Sequence, residues 1–327
     1  MRAATYTELG PAADVLHVGE ADTPEPGRGE IRVKIHTSGV NPSDWKARLR
    51  GRGGVIPFAK ITPHSDGAGV VDAVGEGVDD ARIGQRVWVM NGQWKRPFGT
   101  AAEYIALAEK YVIALPDGVD FAAAACFGIP FLTAQRAVTF DGDVSGQTLL
   151  IAGGAGAVGH HAIQIAKYKG ARVLSTVSSP EKADYVRAAG ADEAIDYRAE
   201  DVAARVEELT DGRGADRIIE LNLSANAPLY GRILAPGGTA IVYGTDAPVA
   251  EIPAGAFIPR GAALKWFIVY ELADHERDAG VADLGRMIAD GALTTTIAAR
   301  FPLDDIAAAH EMVEAAKHMG NVVLDIA

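Results

Sequence analysis

The sequence predicts an α/β protein in which a β-rich region is followed by a doubly wound parallel sheet with helices on both faces. Two observations support this fold class. Up to about residue 120, short valine-rich segments such as Glu30–His36 and Gly67–Val74 are separated by glycine, proline and aspartate, as in β-rich domains. Beyond Pro116, strand-like apolar runs alternate with helical patterns, which is typical of parallel strands joined by helical crossovers.

The parallel region begins with a predicted strand over Thr148–Ala152 and a helix from about Gly156 to Lys169. A second strand over Arg172–Val177 precedes a helix from about Pro180 to Ala189, and proline suits the first turn of a helix. Three further apolar runs are expected to add strands to the same sheet. These runs are Ala194–Asp196, Arg217–Leu221 and Thr239–Tyr243.

Near the C-terminus, Asp304 or Asp305 is expected to cap a helix that Gly320 ends, and Asn321–Ile326 is predicted to form one more strand. The spacing of the apolar residues in this helix predicts one buried face. That face consists of Ile306, Ala309, Val313 and Ala316.

The 327-residue chain carries 31 Lys and Arg against 43 Asp and Glu, a formal net charge of -12. An acidic surface disfavours nucleic acids and anionic membranes as partners. The lone cysteine, Cys126, excludes an intramolecular disulfide and a multi-cysteine zinc site, which suits a reducing compartment. The N-terminus lacks signal-peptide character, and the longest apolar stretch, Phe121–Leu132, is too short to span a bilayer. We therefore expect a cytoplasmic protein that binds neither nucleic acid nor membrane.

The motif GAGAVG at residues 154–159 directly follows the strand Thr148–Ala152 and opens an amphipathic helical segment. Strand, glycine turn and helix form the context that a dinucleotide fingerprint requires. Small residues let the backbone approach a pyrophosphate, and the helix N-terminus offers N–H groups and a positive dipole to the anion. The alternative is a tight strand–helix turn without a ligand.

The residues after the second strand of this region distinguish NADPH from NADH. An NAD site usually carries Asp or Glu about 20 residues beyond the glycines, where it binds the ribose 2′-hydroxyl. Here Ser178, Ser179 and Lys182 occupy that region, and Glu181 is expected to point away inside the helix. Hydroxyl and ammonium groups attract a 2′-phosphate that a carboxylate would repel. The sequence therefore favours NADPH; the alternative for Lys182 is a solvated helix residue.

Four segments together resemble a known family. They are SGVNPSD at residues 38–44, DGAGVV at residues 66–71, the AGAVG turn and IDYR at residues 195–198. With these motifs the chain resembles the quinone oxidoreductases of the zeta-crystallin type, within the zinc-independent medium-chain dehydrogenase/reductase superfamily. The resemblance extends along nearly the whole chain.

The resemblance implies a GroES-like β-rich catalytic domain over residues 1–120, completed by about 296–327, and a Rossmann domain over residues 121–295. It also implies a homodimer that binds NADPH in the cleft between the domains. The apolar run Leu264–Tyr270 is either an edge strand that pairs across the dimer axis or an internal strand. The residues that the resemblance places on the cofactor are Ala155, Gly156, Ala157 and Val158 at the pyrophosphate, Ser178, Lys182 and Tyr197 at the 2′-phosphate, and Asn226, Tyr243, Gly244, Thr245, Phe267, Ile268, Val269 and Asn321 along the ribose and nicotinamide.

The resemblance also bears on metal binding. Zinc-dependent relatives carry a cysteine at the position of Asn41 and a histidine at the position of Ser65. His64 lies one place off and is interpreted as a loop histidine. Because a catalytic zinc needs about three protein ligands, we expect no metal site.

Without zinc, the acceptor must already be electron-poor, as a quinone or an α,β-unsaturated carbonyl is. Hydride addition to the β-carbon of an enone leaves an enolate, and a preorganised hydrogen-bond donor would stabilise the developing oxyanion. The family motif makes Asn41 and Lys46 the candidate catalytic donors, although Lys46 replaces a tyrosine that the family usually has. The alternatives are a loop-bracing asparagine and a solvated lysine.

Two other functions stay open. An enoyl-thioester reductase would need a basic channel to bind a phosphopantetheine or coenzyme A. The run LRGRGG, with Arg48, Arg50 and Arg52, is a candidate for this channel. A non-catalytic NADPH-binding sensor or scaffold would keep the cofactor site without turnover. The aromatic and cationic segment Asn91–Phe98 is either a substrate loop or a surface turn.

Overall fold

The computed structural model describes residues 1–326 of the chain. The strands in this range are β1 (Arg2–Thr5), β2 (His17–Glu20), β3 (Glu30–Val40), β4 (Asp66–Val74), β5 (Arg86–Val89), β6 (Tyr104–Ala108), β7 (Val112–Ala114), β8 (Thr148–Ile151), β9 (Arg172–Val177), β10 (Glu193–Asp196), β11 (Ala215–Glu220), β12 (Leu234–Val242), β13 (Ala263–Trp266), β14 (Ile297–Pro302) and β15 (Asn321–Asp325).

The α-helices are α1 (Ala12–Val15), α2 (Pro42–Arg50), α3 (Phe121–Ala124), α4 (Leu132–Thr139), α5 (Ala157–Tyr168), α6 (Pro180–Ala188), α7 (Val202–Leu209), α8 (Leu223–Asn226), α9 (Tyr230–Ile233), α10 (Ala254–Arg260), α11 (Asp274–Ala289) and α12 (Ile306–Ala315). Among residues 1–326, none of these helices combines the length and the apolar character needed to cross a bilayer.

The chain forms two compact units, each with its own main sheet. The first unit comprises Met1–Pro130 and the chain from Thr295 onward, and the second comprises Phe131–Thr294. The division falls after Pro130 and not after the expected residue 120, because α3 packs on β3 and β4. Gly39 of β3 permits this close approach, since a Cβ there would lie 2.2 Å from the carbonyl oxygen of Ala125.

The main sheet of the first unit has the strand order β14-β15-β3-β4-β5-β7, and β6 pairs with the first half of β3. Alternation along β3 directs Ile31, Val33 and Ile35 into the core, while the residues between them are more exposed. Burial of each of these side chains contributes about 2 kcal/mol. The C-terminal strand β15 joins this sheet antiparallel to β3, with Val322 opposite Val40.

The sheet of the second unit is parallel throughout, with the strand order β10-β9-β8-β11-β12-β13. Counted from the first strand of this unit, the order is that of the doubly wound dinucleotide-binding folds. Its core contains Leu150, Leu174, Ile195 and Ile218, one from each of four neighbouring strands. The predicted fold class is therefore confirmed.

The apolar run Leu264–Tyr270 is only partly a strand. β13 ends at Trp266 because its parallel neighbour β12 ends at Val242, and the last bond between them runs from the Phe267 N–H to the Val242 carbonyl oxygen at 3.4 Å. Beyond that point no partner strand continues among residues 1–326, and the chain turns into a short 3-10 helix over Val269–Glu271. β13 is an edge strand of its sheet.

The C-terminal helix is shorter than expected. α12 ends at Ala315, and Ala316 adopts the left-handed conformation, with φ 51, that caps it. Ala316 is therefore exposed, and the buried face consists of Ile306, Ala309 and Val313 together with His310. Asp305 occupies the N-cap position, but its side chain accepts no capping hydrogen bond.

Candidate functional site

Because all strands of the second unit run parallel, their carboxyl ends lie at one edge of the sheet, where doubly wound folds bind ligands. Most of the predicted cofactor residues follow those ends, whereas Asn321 lies in the first unit. The residues at the edge are Ala155, Gly156, Ala157 and Val158 after β8, Ser178 and Lys182 after β9, Tyr197 after β10, Asn226 after β11, Tyr243, Gly244 and Thr245 after β12, and Phe267, Ile268 and Val269 after β13.

Packing explains three of the four glycines between β8 and the first turn of α5, but not Gly156. A Cβ on Gly154 would lie 2.0 Å from Ser175 Oγ, and a Cβ on Gly159 would lie 2.5 Å from the carbonyl oxygen of Gly153. Gly153 has φ +64, which favours glycine. A Cβ on Gly156 would meet only the Gly153 carbonyl oxygen, at 3.5 Å. The protein's own packing therefore leaves space at Gly156, as close approach of a pyrophosphate requires.

The start of α5 adds an electrostatic reason for an anion at this place. Gly156 is the N-cap residue and has no side chain to accept a hydrogen bond from the first N–H groups of the helix. The first turn also carries no acid, so the partial positive charge of the helix N-terminus is not neutralised within the helix. The turn therefore fits the pyrophosphate of a dinucleotide.

Ser178, Lys182 and Tyr197 are brought together by the pairing of β9 with β10. The Tyr197 N–H donates to the Val177 carbonyl oxygen at 3.1 Å, which places Tyr197 beside the residue that precedes Ser178. Ser179 is the N-cap of α6, and its Oγ accepts a hydrogen bond from the Lys182 N–H at 3.3 Å. We call Ser178, Lys182 and Tyr197 the 2′-phosphate cluster.

The 2′-phosphate cluster offers two hydroxyl groups and one cation. In the part of the chain that the structure describes, no carboxylate pairs with the Lys182 ammonium group. Tyr197 is 52% exposed, and Glu181 lies on the exposed side of the first turn of α6. This donor set suits a phosphate group better than it suits a ribose hydroxyl.

A buried carboxylate at the end of β11, Glu220, is missed by the sequence analysis. Its oxygens accept hydrogen bonds from Asn226 Nδ2 at 2.9 Å and from the Tyr230 hydroxyl. Burial raises the pKa of Glu220, and these hydrogen bonds oppose the shift. The Asn226 amide thus binds Glu220, and its contact with a ribose stays a prediction. The only signal in the sequence is an acid that closes the apolar strand RIIE.

The loops after β12 and β13 are positioned by backbone packing. A Cβ on Gly244 would lie 2.3 Å from the carbonyl oxygen of Leu221, so the loops after β11 and β12 touch through a glycine. Thr245 Oγ1 donates to the Ala247 carbonyl oxygen at 2.9 Å. The Phe267 ring lies 6.0 Å from that of Phe140, Ile268 is half-exposed and Val269 is buried. Contacts of these residues with a nicotinamide stay predictions.

In the first unit, the predicted donor Asn41 is buried between β3 and α2. Its Nδ2 donates to Asp66 Oδ2 at 2.9 Å, and its backbone N–H donates to Asp44 Oδ2 at 2.7 Å. The second bond fixes the start of α2, and the first orients the amide group. Burial raises the pKa of Asp44 to about 7.

Asn321 and Lys46 lie near Asn41 in the first unit. Because Val322 pairs with Val40, the β15–β3 register places Asn321 opposite Asn41. The Asn321 Nδ2 donates to the Thr296 carbonyl oxygen at 3.1 Å. Lys46 is partly exposed on α2, with Nζ 5.6 Å from the centroid of the Trp45 ring.

Asp66 is a second buried carboxyl group that the sequence analysis misses. Burial raises the pKa of Asp66 well above its ordinary value, and the neighbouring Asp44 adds to the shift. Asp66 Oδ2 accepts a hydrogen bond from the Ile129 N–H at 2.8 Å in addition to that from Asn41, while Oδ1 has no partner among residues 1–326. This environment favours a neutral carboxylic acid.

Asp66→Asn is expected to stabilise the protein increasingly as the pH rises. A carboxyl group whose pKa is higher in the folded protein than in the unfolded protein stabilises the fold fully at pH values below the unfolded pKa. This stabilisation is lost as the pH rises through the folded pKa. Asparagine does not titrate, so the free energy of unfolding of the variant relative to the wild type should grow above about pH 4, by at most about 1.4 kcal/mol per pH unit. Urea unfolding between about pH 4 and pH 8 measures this difference. The control Asp66→Leu cannot accept a hydrogen bond from Asn41 and should lower the free energy of unfolding at every pH. If the difference in this free energy between Asp66→Asn and the wild type did not change with pH, Asp66 would not be neutral in the folded protein.

His64 lies in the loop that precedes β4, but the sequence does not show that its side chain is buried and paired. It is fully buried, with Nδ1 2.9 Å from Ser38 Oγ and Nε2 2.9 Å from the Nε2 of His310. Burial lowers the pKa of His64 to about 3, so the ring is neutral. The sequence gives no sign of this pairing, because His310 is distant in the chain and reaches His64 only in the folded unit.

Family models match both units of the chain. Residues 27–117 match the alcohol dehydrogenase GroES-like domain, and residues 157–284 match the zinc-binding dehydrogenase model. At the two positions where zinc-dependent relatives carry ligands, the Asn41 amide donates to Asp66, and Ser65 Oγ accepts from the Gln93 N–H at 3.3 Å. Across residues 1–326, no three His, Cys, Asp or Glu side chains converge as metal ligands. These donors do not fit a zinc ion.

Full-length similarity to characterised proteins completes the comparison. The chain is 33% identical over 318 residues to a quinone oxidoreductase of Pseudomonas aeruginosa, and the match covers 95% of each chain. Two solved structures align with the whole chain: a mycobacterial protein complexed with NADPH, at 31% identity and a TM-score of 0.89, and an NAD-dependent alcohol dehydrogenase, at 28% identity and a TM-score of 0.90. The chain is therefore an oxidoreductase that belongs to the quinone oxidoreductase family of the medium-chain dehydrogenases/reductases.

Proposed function

We propose that the chain is a zinc-independent reductase that binds NADPH and transfers a hydride to a quinone or an α,β-unsaturated carbonyl. One observation supports the choice of coenzyme above all others. The 2′-phosphate cluster lies where an NAD site has an acid, and it offers Ser178, Lys182 and Tyr197 instead. Similar proteins include both an NADPH complex and an NAD-dependent enzyme, so the choice depends on residues of this chain.

The chain's contribution to the reaction is binding, orientation and charge stabilisation. NADPH supplies the hydride when it is bound. The start of α5 binds the pyrophosphate, and the 2′-phosphate cluster fixes the adenosine end. Asn41 donates to the acceptor oxygen as negative charge develops there, and its bond to Asp66 orients the amide before the reaction. Lys46, further along α2, is the second donor.

NADPH oxidation by the full-length chain with a panel of quinones and enones tests this proposal. We expect turnover of at least one acceptor. Asn41→Ala should lower kcat by about 100-fold, because the loss of a single preorganised donor to a developing oxyanion costs a factor of that order or more. The KM for NADPH should not change. Tight NADPH binding without turnover of any acceptor would contradict the proposal and favour a non-catalytic sensor or scaffold.

The exposed edge of the second unit supports the homodimer that the proposal includes. β13 is an edge strand, and Trp266 and Ile268 are 57% and 47% exposed. An unpaired strand edge beside exposed apolar side chains suits pairing with a second copy across a twofold axis. Trp266→Glu is expected to convert the dimer to a monomer in light scattering, whereas the control Ile83→Glu, at an exposed site in the first unit, should remain dimeric. A monomeric wild-type chain would exclude this assembly.

The proposed location is the cytoplasm. Cys126, the one cysteine of the chain, is buried, and burial raises the pKa of its thiol well above the ordinary value. An unreactive core thiol and the absence of any second cysteine suit a reducing compartment.

A further inference from the structure

Two segments of the first unit lack acidic residues although the chain as a whole is acidic. Residues 45–63 contain five Lys and Arg and no Asp or Glu, and residues 90–102 contain one Lys and one Arg and again no acid. The whole chain has 43 acids against 31 bases. Like charges close together repel one another, so such a segregation costs free energy unless the cations have a use.

Structural roles account for two of these cations. Arg48 is fully buried, and its guanidinium donates to Glu314 at 3.0 Å and to the Gly10 carbonyl oxygen. Arg96 donates to the carbonyl oxygen of Ala106, and burial lowers the pKa of its guanidinium. Arg48 therefore cannot serve in the basic channel considered for LRGRGG, and neither cation reaches a ligand.

Four other cations gather on two indole rings. Over the Trp94 ring lie the Arg52 guanidinium, 4.3 Å from the centroid, and the Lys95 ammonium group, at 5.6 Å. Over the Trp45 ring lie Arg50 at 5.4 Å and Lys46 at 5.6 Å. An indole face attracts a cation that lies over it and so helps to hold that cation in place. We call Lys46, Arg50, Arg52 and Lys95 the cation–indole cluster.

The two halves of this cluster are adjacent in the chain, because only Gly51 separates Arg50, over Trp45, from Arg52, over Trp94. The Arg52 guanidinium that stacks on Trp94 also donates to Gln93 Oε1 at 3.0 Å, which connects the end of α2 with residues 91–98. The guanidinium is therefore held in one orientation by a hydrogen bond and a ring. Such preorganisation reduces the entropy cost of binding an anion.

The cluster also lies beside the proposed donor, Asn41. Residues 91–98 are tied to Ser65, because the Gly92 N–H donates to the Ser65 carbonyl oxygen at 2.9 Å. The next residue, Asp66, accepts the hydrogen bond from Asn41. Lys46 and Arg50 follow Asn41 on the same helix, and Arg50 is about 13 Å along it at 1.5 Å per residue. An acceptor bound at Asn41 with an arm of roughly this length would reach the cluster.

We infer that the cation–indole cluster binds an anionic group on the acceptor, either a carboxylate or a phosphate, and so selects negatively charged quinones or enones. The inference rests on the proposed function, because it assigns the substrate class of the same site. The anion belongs either to the acceptor itself, as a carboxylate side chain, or to a coenzyme thioester, as phosphate. Both sources share the chemistry that fixed guanidinium groups recognise.

Matched acceptor pairs test this inference with the full-length chain and NADPH. The first pair is a benzoquinone with a decanoate side chain, whose extended length matches the distance from Asn41 to Arg50, and the same quinone with a decanamide side chain. The second pair is S-(2-butenoyl)-4′-phosphopantetheine and S-(2-butenoyl)-pantetheine, which lacks only the phosphate. Each pair keeps the reacting group and changes the charge, so the ratio of kcat/KM within a pair isolates recognition of the anion.

We expect the wild-type ratio to favour the anionic member of at least one pair by about tenfold. The double variant Arg50→Gln, Arg52→Gln should lower that ratio to near one. Arg28→Gln removes a cation from a side chain that is 82% exposed elsewhere in the same unit and should keep the wild-type ratio. High salt should lower the wild-type ratio as well, so the test does not depend on the variants folding.

The pattern of results separates the possible sources and failures. A preference for the anionic member of the quinone pair alone identifies a carboxylate as the anion that the cluster binds. A preference for the anionic member of the thioester pair alone identifies a phosphate. A wild-type ratio near one in both pairs, or a ratio that the double variant leaves unchanged, would overturn the inference while turnover upholds the proposed function. No reduction of any acceptor, charged or neutral, would overturn both.

Discussion

A valine at position 156 is expected to abolish dinucleotide binding and leave the fold of the second unit intact. Gly156 has extended backbone angles, φ -78 and ψ 169, which valine also adopts. The new Cβ would meet only the Gly153 carbonyl oxygen at 3.5 Å, and an apolar residue at an N-cap costs about 1 kcal/mol. The side chain would instead fill the space that a pyrophosphate requires. We expect the Kd for NADPH to rise at least about 100-fold.

Gly154→Val is the matched comparison, because packing predicts the opposite kind of damage. A Cβ there would lie 2.0 Å from Ser175 Oγ and 2.9 Å from Ile163 Cδ1, so overpacking should lower the free energy of unfolding by about 3 kcal/mol. Coenzyme fluorescence titration measures binding, and urea unfolding measures stability. Wild-type affinity for NADPH in Gly156→Val would mean that the pyrophosphate does not lie at the start of α5.

Lys182→Glu is expected to reverse the preference between the two coenzymes. The change replaces the one cation of the 2′-phosphate cluster with a carboxylate, which repels a phosphate and can accept a hydrogen bond from a ribose hydroxyl. We expect the ratio of the Kd values for NADPH and NADH to rise by about 1000-fold, which corresponds to about 4 kcal/mol. Isothermal titration with each coenzyme measures both constants.

The control for this change is Arg187→Glu, which alters the net charge equally and lies in the last turn of the same helix, α6. Arg187 is half-exposed and pairs with Asp184, away from the cluster. Its substitution should leave the coenzyme ratio within about twofold of the wild type, because Arg187 lies about 7.5 Å further along the helix and acts on the phosphate only through solvent that contains salt. If both variants shifted the ratio equally, general electrostatics and not direct phosphate contact would explain the selectivity.

Local patterns predict the parts of the nucleotide site that are contiguous in the chain. β8, the glycine turn and α5 follow one another, and the apolar run, the glycines and the amphipathic helix each have a local signature. Pro180 likewise marks the start of α6, as expected. The structure adds which glycine is free of packing, since that depends on Ser175 in the next strand.

Polar clusters escape prediction because their members are distant in the chain. His64 binds His310, which is 246 residues away, and Asp66 binds the N–H of Ile129, which is 63 residues away. No periodicity connects such pairs, so the burial of His64 and the hydrogen-bond partners of Asp66 cannot be predicted from the sequence. Similarly, the side chain of Asn226 is directed to Glu220 by a contact that only the fold creates.

The sequence also does not show which side chains of a charged run are exposed to solvent. Arg48, Arg50 and Arg52 look alike in LRGRGG, but α2 directs Arg48 into the core and Arg50 toward solvent. Arg52 lies beyond the helix, after Gly51 with φ +68, and turns onto Trp94. Helix phase and one left-handed glycine therefore decide which of the three arginines can meet a ligand.

Parallel titration of the wild-type chain with NADPH and with NADH, in the same buffer and at the same ionic strength, tests most directly whether Ser178, Lys182 and Tyr197 bind a 2′-phosphate. A phosphate held by one ammonium and two hydroxyl groups predicts a Kd for NADPH about 100-fold lower than that for NADH. Equal dissociation constants, or tighter binding of NADH, would contradict it.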